Sequence, residues 1–408
     1  MKTIQKIIQH PTLLVLVDQA ISSGSSFLIT LVLAQKMDLT NFGLFSSLLL
    51  LTFLAMSISN ALLIQPFQVT VAKVIQKKEY QVSLFLGLMV LLLFFMLSAK
   101  LLVLFLPKSL LDPIPIGAFL CFLCGYLIND FFRKLFLGIA KIKWVLCMDF
   151  LYLLLLSALF IMPQLNLLSA LFIIGIANLA SSLPGVLFLY QNYEKPASWR
   201  IFLSNHVQQG KWLLTVAVLQ WASSNFFILV SGIYIGIEAL GALRLVQTLF
   251  GVINIGLQTI ENYFLPKISK LYNENVKQAK KYLLNITLKG AILFGVLLSI
   301  LFVFATPIIV LAGGEKYQSY GYVVKIIAVL YFFIFLSYPI RIAVRILVLN
   351  KIFFLGYLLS FASSLLTFHF LLDYSGLTGA VIGLIMNQII MILYWQNQLK
   401  KNHFQLWK

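Results

Sequence analysis

Charge is scarce in this sequence, and acidic charge above all. Only 10% of the 408 residues are Asp, Glu, Lys or Arg, and 12 of these are acidic. With 61% hydrophobic residues and a mean hydropathy of +0.98, a soluble domain is excluded. Cysteine is nearly missing too. Cys121, Cys124 and Cys147 imply no disulfide framework, and Cys121 and Cys124, three apart on an apolar run without a nearby Cys or His set, read as small packing residues. The four histidines are scattered, so neither a metal cluster nor a nucleophile with base and orienter can be assembled. No Gly-rich loop ends in Gly-Lys-Ser/Thr, because Gly313-Gly314-Glu315-Lys316 lacks both the spacing and the hydroxyl. ATP hydrolysis, a cofactor and enzyme chemistry are therefore not expected.

What is present is a succession of apolar windows about 20 residues long, which fits α-helical spans rather than the roughly ten-residue alternating segments of outer-membrane barrels. Twelve spans are predicted, at about 12–34, 43–65, 82–106, 114–138, 144–163, 167–190, 211–235, 239–265, 282–311, 320–349, 351–372 and 376–398. The fold expected is an all-α polytopic membrane protein. A formal charge of +18 suggests nucleic acid in a soluble chain, but its distribution says otherwise. With the amino terminus inside, only Lys36, Lys100, Lys108 and Lys316 fall outside, and Arg244, Lys289 and Lys325 lie within spans. The remaining Lys and Arg, among them Lys2, Lys73, Lys141, Lys143 and the run Lys267 to Lys281, lie in or beside cytoplasmic segments. That asymmetry puts both termini in the cytoplasm. The apolar amino-terminal run could pass for a signal peptide, but Asp18 and the cluster Ser22 to Ser26 interrupt it, so it reads as a retained first helix. The outer loops are all short, which argues against a membrane glycosyltransferase or polymerase that must hold an acceptor outside the bilayer.

The spans are not uniformly apolar. In the eighth, Arg244, Gln247, Thr248, Gly251, Asn254, Gln258, Glu261 and Asn262 recur every three to four residues and fall in one sector at 100° per residue. An ionised Arg or Glu facing hydrocarbon costs about 3 kcal/mol even by the low estimates, so this stripe must face protein or a water-filled cavity. The first span carries Asp18, Ser22, Ser25 and Ser26, the fourth ends on Asn129, Asp130, Arg133 and Lys134, and the fifth begins near Asp149, a partner for Arg133 or Lys143. The seventh holds Ser223, Ser224 and Asn225 near its middle, and the tenth carries Lys325 toward the outside with Arg341 and Arg345 toward the inside. Arg345 reads as snorkelling to the headgroups. Asp18 is either half of a structural ion pair or a carboxylate coupled to a proton or cation, and Glu261 is a second coupling candidate.

Laying Ser25-Ser26 over Ser223-Ser224 also lays Leu39-x-x-x-Gly43 over Ile237-x-x-x-Gly241 and brings Pro66 within two positions of Pro266. This suggests an internal duplication into an N-terminal six-helix bundle (1–190), a cytoplasmic linker (191–210) and a C-terminal six-helix bundle (211–408), related by a pseudo-two-fold axis along the membrane normal.

Several of these segments resemble the polysaccharide flippase branch of the multidrug/oligosaccharidyl-lipid/polysaccharide exporter superfamily. They are Asp18-Gln19-Ala20 through Leu39, Phe42-Gly43-Leu44-Phe45, Trp221 through Gly241-Ala242-Leu243-Arg244, Gln247-Thr248, Gly251, Asn254 and Glu261-Asn262-Tyr263-Phe264-Leu265-Pro266. Asn129, Asp130, Arg133, Trp144 and Asp149 look similar as well. The resemblance implies two bundles facing each other in a V, in a bacterial inner membrane. It also implies transfer of a lipid-linked oligosaccharide, such as an O-antigen precursor of lipopolysaccharide, to the outer leaflet by alternating access. Arg244, Lys325, Arg341 and Arg133 would then meet the pyrophosphate. Ser22, Ser25, Ser223, Asn225, Gln247, Thr248, Asn254 and Gln258 would meet the sugars, and Asp18 and Glu261 would couple the ion. Asp18 in place of a cluster of arginines departs from the lipid II flippase subtype. The chain would act as a monomer among membrane lipids, serving a polysaccharide polymerase or glycosyltransferases and binding no nucleic acid. A cation-coupled multidrug exporter of the same superfamily and a non-transporting scaffold for glycosyltransferases are the alternatives.

Overall fold

The computed structural model describes residues 11–70, 77–105, 114–196 and 198–404. Lys2, Lys73 and Lys108, used above to orient the chain, lie outside the described residues. Every regular element among the described residues is helical, and eleven helices are long and apolar enough to cross a membrane. The last, Asn350–Lys401, has 52 residues. At 1.5 Å per residue that is about 78 Å, more than twice a bilayer core of about 30 Å. It divides at Gly376, whose φ of 51° and ψ of −131° are open to a residue without a Cβ. It therefore serves as two spans, and the expected twelve are present.

The chain forms two compact units, Met1–Val218 and Leu219–Lys408. The first contains α1 (Pro11–Lys36), α2 (Leu39–Ser59), α3 (Lys77–Phe105), α4 (Ile116–Gly138), α5 (Ile142–Leu156), α6 (Leu167–Ser181) and the first half of α7 (Trp199–Tyr234). The second contains the rest of α7, then α8 (Ile237–Glu274), α9 (Val276–Val303), α10 (Gly321–Ile346), α11 (350–375) and α12 (377–401). Residues 199–210 of the segment read from sequence as a linker form the opening turns of α7.

Side-chain caps set the turns. Asp38 accepts from the Asn41 backbone N–H at 2.6 Å to start α2, Asn166 and Ser169 form a capping box at α6, and Asn275 accepts from Lys277 and Gln278 to start α9. Lys36 donates to the carbonyls of Leu159 (3.0 Å) and Phe160 (2.8 Å), placing a cation where the short helical extension of α5 ends in orphan acceptors.

In the first unit α4 and α6 pack backbone to backbone. A Cβ on Gly125 would collide with the Gly175 carbonyl, and one on Gly175 with the Phe122 backbone, so both positions require the smallest residue. Phe131, Phe132 and Phe136 then fill the space toward α3, with Leu84 and Leu88. In the second unit the fully buried Trp395 stacks on Phe353, covers Gly356 and donates its indole N–H to the Ile352 carbonyl at 3.1 Å. That seals α11 against α12 and leaves the polar faces of α8 and α10 as one side of a cavity.

Candidate functional site

Each unit holds a polar cavity. In the first unit a cavity of about 170 Å³ is lined by Ser22 and Ser25 from α1, Tyr126, Asn129 and Arg133 from α4, and Asp149 from α5, with Tyr152 and Asn178 beyond them. Its chemistry centres on Arg133. One terminal nitrogen of the guanidinium donates to Asp18 at 2.9 Å and to Asp149 at 3.2 Å, while Nε lies 2.7 Å from the other Asp149 oxygen as an ion-pair contact without hydrogen-bond geometry. Three helices thereby meet on one cation. Both carboxylates are almost wholly buried, and two of them share a single guanidinium, so the cluster carries one negative charge when all three groups are ionised. Beside it Asp130 and Lys134 pair at 2.7 Å, as their i,i+4 spacing leads one to expect. The amides are engaged: Asn129 donates to Ser181 at 2.8 Å, and Asn178 to the Ile174 carbonyl at 2.9 Å.

In the second unit a cavity of about 260 Å³ is lined by Gln247, Asn254 and Gln258 of α8, Tyr331, Tyr338 and Arg341 of α10, and Ser223, Tyr357, Asn387 and Gln388. The three α8 residues are the heart of the sequence stripe. Asn254 donates to the Tyr331 hydroxyl at 2.8 Å. The Arg341 guanidinium lies 4.9 Å from the centre of the Tyr338 ring, a cation–π contact, and its terminal nitrogen is 3.9 Å from Glu261. Its Nε–H is buried and makes no hydrogen bond among the described residues. Glu261, itself buried, pairs chiefly with Arg345. The balance is opposite to that of the first unit, with two guanidinium groups against one carboxylate.

The remaining sequence candidates are placed as follows. Arg244 lies one turn from the cavity wall and donates to the Gln247 side chain at 3.0 Å, so it continues the polar stripe. Thr248 and Asn225 are tied back to their own helices, through the carbonyls of Arg244 and Trp221, and do not line the cavity. Ser25 is likewise bonded to the Ile21 carbonyl at 2.6 Å. Ser223 does border the cavity, but its hydroxyl meets Ser360 at 3.0 Å and its carbonyl accepts from Asn387, so it also joins α7 to α11 and α12. Lys325 is absent from the cavity wall, and its ammonium stands 5.8 Å from the centre of the Phe302 ring on α9. The Asn262 side chain lies outside the described residues. Arg345, read as snorkelling, bonds Glu261 instead, because α8 and α10 bring the two to one level.

No protein-family model matches the chain, and no curated protein sequence matches it. Solved structures do. An inward-facing multidrug resistance MATE family transporter of the MOP superfamily superposes with a TM-score of 0.72 at 12% identity, over 94% of this chain and 95% of that one. The lipid II flippase MurJ, in an inward closed conformation, superposes with a TM-score of 0.71 at 11% identity, over 94% and 87%. A Vibrio cholerae MATE transporter follows with a TM-score of 0.59 at 15% identity and 94% of each chain. The fold is that of the MATE and MurJ proteins.

On this MATE and MurJ fold, part of the chemistry sits on residues the sequence had hidden. Tyr126, Tyr152, Tyr331, Tyr338 and Tyr357 border the cavities, yet in a hydropathy reading they merge with the apolar spans. A signal did exist on α10, where Tyr331, Tyr338, Arg341 and Arg345 are seven, three and four residues apart and fall within one sector of the helix.

Proposed function

We propose that the chain is a secondary transporter of the polysaccharide flippase branch, not an enzyme. It would move a polyprenyl-pyrophosphate-linked oligosaccharide from the cytoplasmic to the periplasmic leaflet of a bacterial inner membrane. The observation that carries this reading is Arg341, a guanidinium at the wall of a polar cavity with an unused buried Nε–H and more positive charge around it than Glu261 cancels. A pyrophosphate supplies the missing acceptors, and a planar guanidinium can bond two of its oxygens at once. Gln247, Asn254 and Gln258 offer amides to the sugars, and Arg244 extends the cationic path along α8. Arg133 is committed to two carboxylates, so its part is to hold the coupling site rather than the headgroup.

The uncancelled carboxylate of the Asp18, Arg133 and Asp149 cluster would take the coupling proton or cation. One charge moved through the membrane potential yields about 2.3 kcal/mol per 100 mV. In this reading the cycle is alternating access, both termini are cytoplasmic, the functional unit is a monomer without a cofactor, and the lipid-linked substrate comes from glycosyltransferases. The net basic charge faces anionic lipid headgroups, not nucleic acid.

The test is reconstitution of the purified protein in liposomes loaded with a fluorescent polyprenyl-pyrophosphate oligosaccharide, scored by the fraction that becomes accessible on the opposite face. The wild type should translocate it and Arg341→Ala should not. Export of a cationic drug without lipid transfer would replace this reading with the multidrug one. Neither activity, with glycosyltransferases co-purifying, would replace it with a scaffold.

A further inference from the structure

The second unit carries another concavity, chemically unlike the polar cavity. Between α8, α9 and α10 lies an apolar space of about 290 Å³ whose wall runs along α9 from Leu283 to Leu293. Ten residues of helix make that wall about 15 Å long, the dimension of an extended hydrocarbon chain rather than of a compact ligand. Among the described residues, Lys289 is the only charged one lining it. The rest of the α9 surface nearby is open to lipid, with Leu288 67% and Ile292 74% exposed. Lys289 is itself exposed and makes no ion pair among the described residues. An ammonium on a lipid-facing helix is costly unless it reaches an anion. Helical side chains lean toward the helix N-terminus, so the Lys289 stem points toward the end of α9 that bears Lys277, Lys280 and Lys281, next to Lys267 and Lys270 of α8. Such a basic end is what the anionic headgroups of a membrane leaflet are drawn to.

We propose that α8, α9 and α10 form a binding site for an anionic membrane phospholipid, with one acyl chain in the apolar groove and the phosphate on Lys289. The lysine within the groove decides between this occupant and the tail of the transported lipid. A pyrophosphate on Arg341 would be separated from the groove by Tyr338, which lines both spaces, and would leave Lys289 without an anion. Because Tyr338 is also the ring on which Arg341 rests, a lipid seated in the groove bears on the polar cavity from behind. The site stands on its own geometry and does not depend on the substrate assigned above.

The test is native mass spectrometry of the full-length protein, exchanged in detergent against phosphatidylglycerol or phosphatidylcholine. The wild type should retain one phosphatidylglycerol more strongly than phosphatidylcholine. Lys289→Ala, which removes the cation, and Ile286→Trp, which fills the groove, should each lower that retention about fivefold, and Lys289→Arg should restore it. A thermal melt of each variant separates lost binding from lost fold. Equal retention of the two lipids, or unchanged retention in a folded Lys289→Ala, would overturn the site. Displacement of phosphatidylglycerol by polyprenyl phosphate in the wild type but not in Ile286→Trp would overturn it as well, by giving the groove to the transported lipid.

Discussion

His206 on α7 holds the Leu62 carbonyl oxygen at 2.8 Å from its Nδ1, although 144 residues separate the two in sequence. The contact has a local cause in the helical continuation of α2 through residues 60–70. Pro66 has no N–H to give to Leu62, four residues before it, and the helix passes through a π-helical turn at Asn60–Ile64, where Gln65 bonds back to Asn60. A carbonyl can only accept, so Nδ1 carries the proton, and in the neutral ring Nε2 accepts from the Tyr80 hydroxyl at 2.6 Å. Replacing His206 by Ala removes both hydrogen bonds, a loss of about 1–3 kcal/mol. The expected result is a lower thermal midpoint in detergent, with His206→Asn, which can still donate, falling between the two. A midpoint equal to that of the wild type would show that the bond contributes nothing.

Arg133 should be the least replaceable charge in the first unit. Removing it strands Asp18 and Asp149 together in a buried site, and breaking a buried pair from one side costs about 3–5 kcal/mol. Arg133→Ala should therefore reduce the yield of folded protein. Neutralising both acids as well, in Asp18→Asn/Arg133→Met/Asp149→Asn, should recover it without recovering transport. Size-exclusion profiles from detergent extracts distinguish the two outcomes. If the triple variant remains unfolded while Arg133→Ala folds, the cluster is not held together by charge.

Much of the architecture was legible in the chain, and the reason lies in the solvent. A bilayer forces backbone groups to bond within each span, so apolar length alone located twelve helices, and Gly376 divides the pair that the structure nearly fuses. The stripe on α8 was legible for the same reason, since Gln247, Asn254 and Gln258 could not face hydrocarbon. Partnerships between helices were not. Asp149 offered itself equally to Arg133 and Lys143, and only the packing of α1, α4 and α5 joins Asp18 to the same guanidinium. Arg345 looked like a snorkelling residue because Glu261, its partner, lies 84 positions away on another helix. The apolar groove was invisible altogether, being a gap among three helices and not a pattern on one.

Arg341 and Arg345 share Glu261 but should fail differently. Arg345 makes the close bond, so Arg345→Ala leaves Glu261 to Arg341 and draws that guanidinium away from the cavity. Adding Glu261→Gln frees Arg341 again. Transport should be lost in Arg345→Ala and partly return in Arg345→Ala/Glu261→Gln, whereas Arg341→Ala should be rescued by no change at Glu261. Liposome translocation rates for the wild type, the three single variants and the two double variants form the two cycles. Equal rescue of both arginine variants would mean that neither one contacts the substrate.

Asp18 is the carboxylate that folding can spare. It meets Arg133 through one oxygen, whereas Asp149 faces the guanidinium with both of its oxygens and by itself can neutralise it. Asp18→Asn keeps the shape and a hydrogen-bonding oxygen while removing the one negative charge left uncancelled. The variant should therefore fold, with a thermal midpoint close to that of the wild type, and should still translocate substrate down its own gradient. It should lose the response to an imposed potential, which for one charge at 100 mV is about 2.3 kcal/mol, close to fiftyfold in an equilibrium ratio. Asp149→Asn should instead unfold more readily. Measuring lipid distribution in liposomes with and without a potassium diffusion potential reads the coupling directly. A full response in folded Asp18→Asn would move the coupling site away from α1.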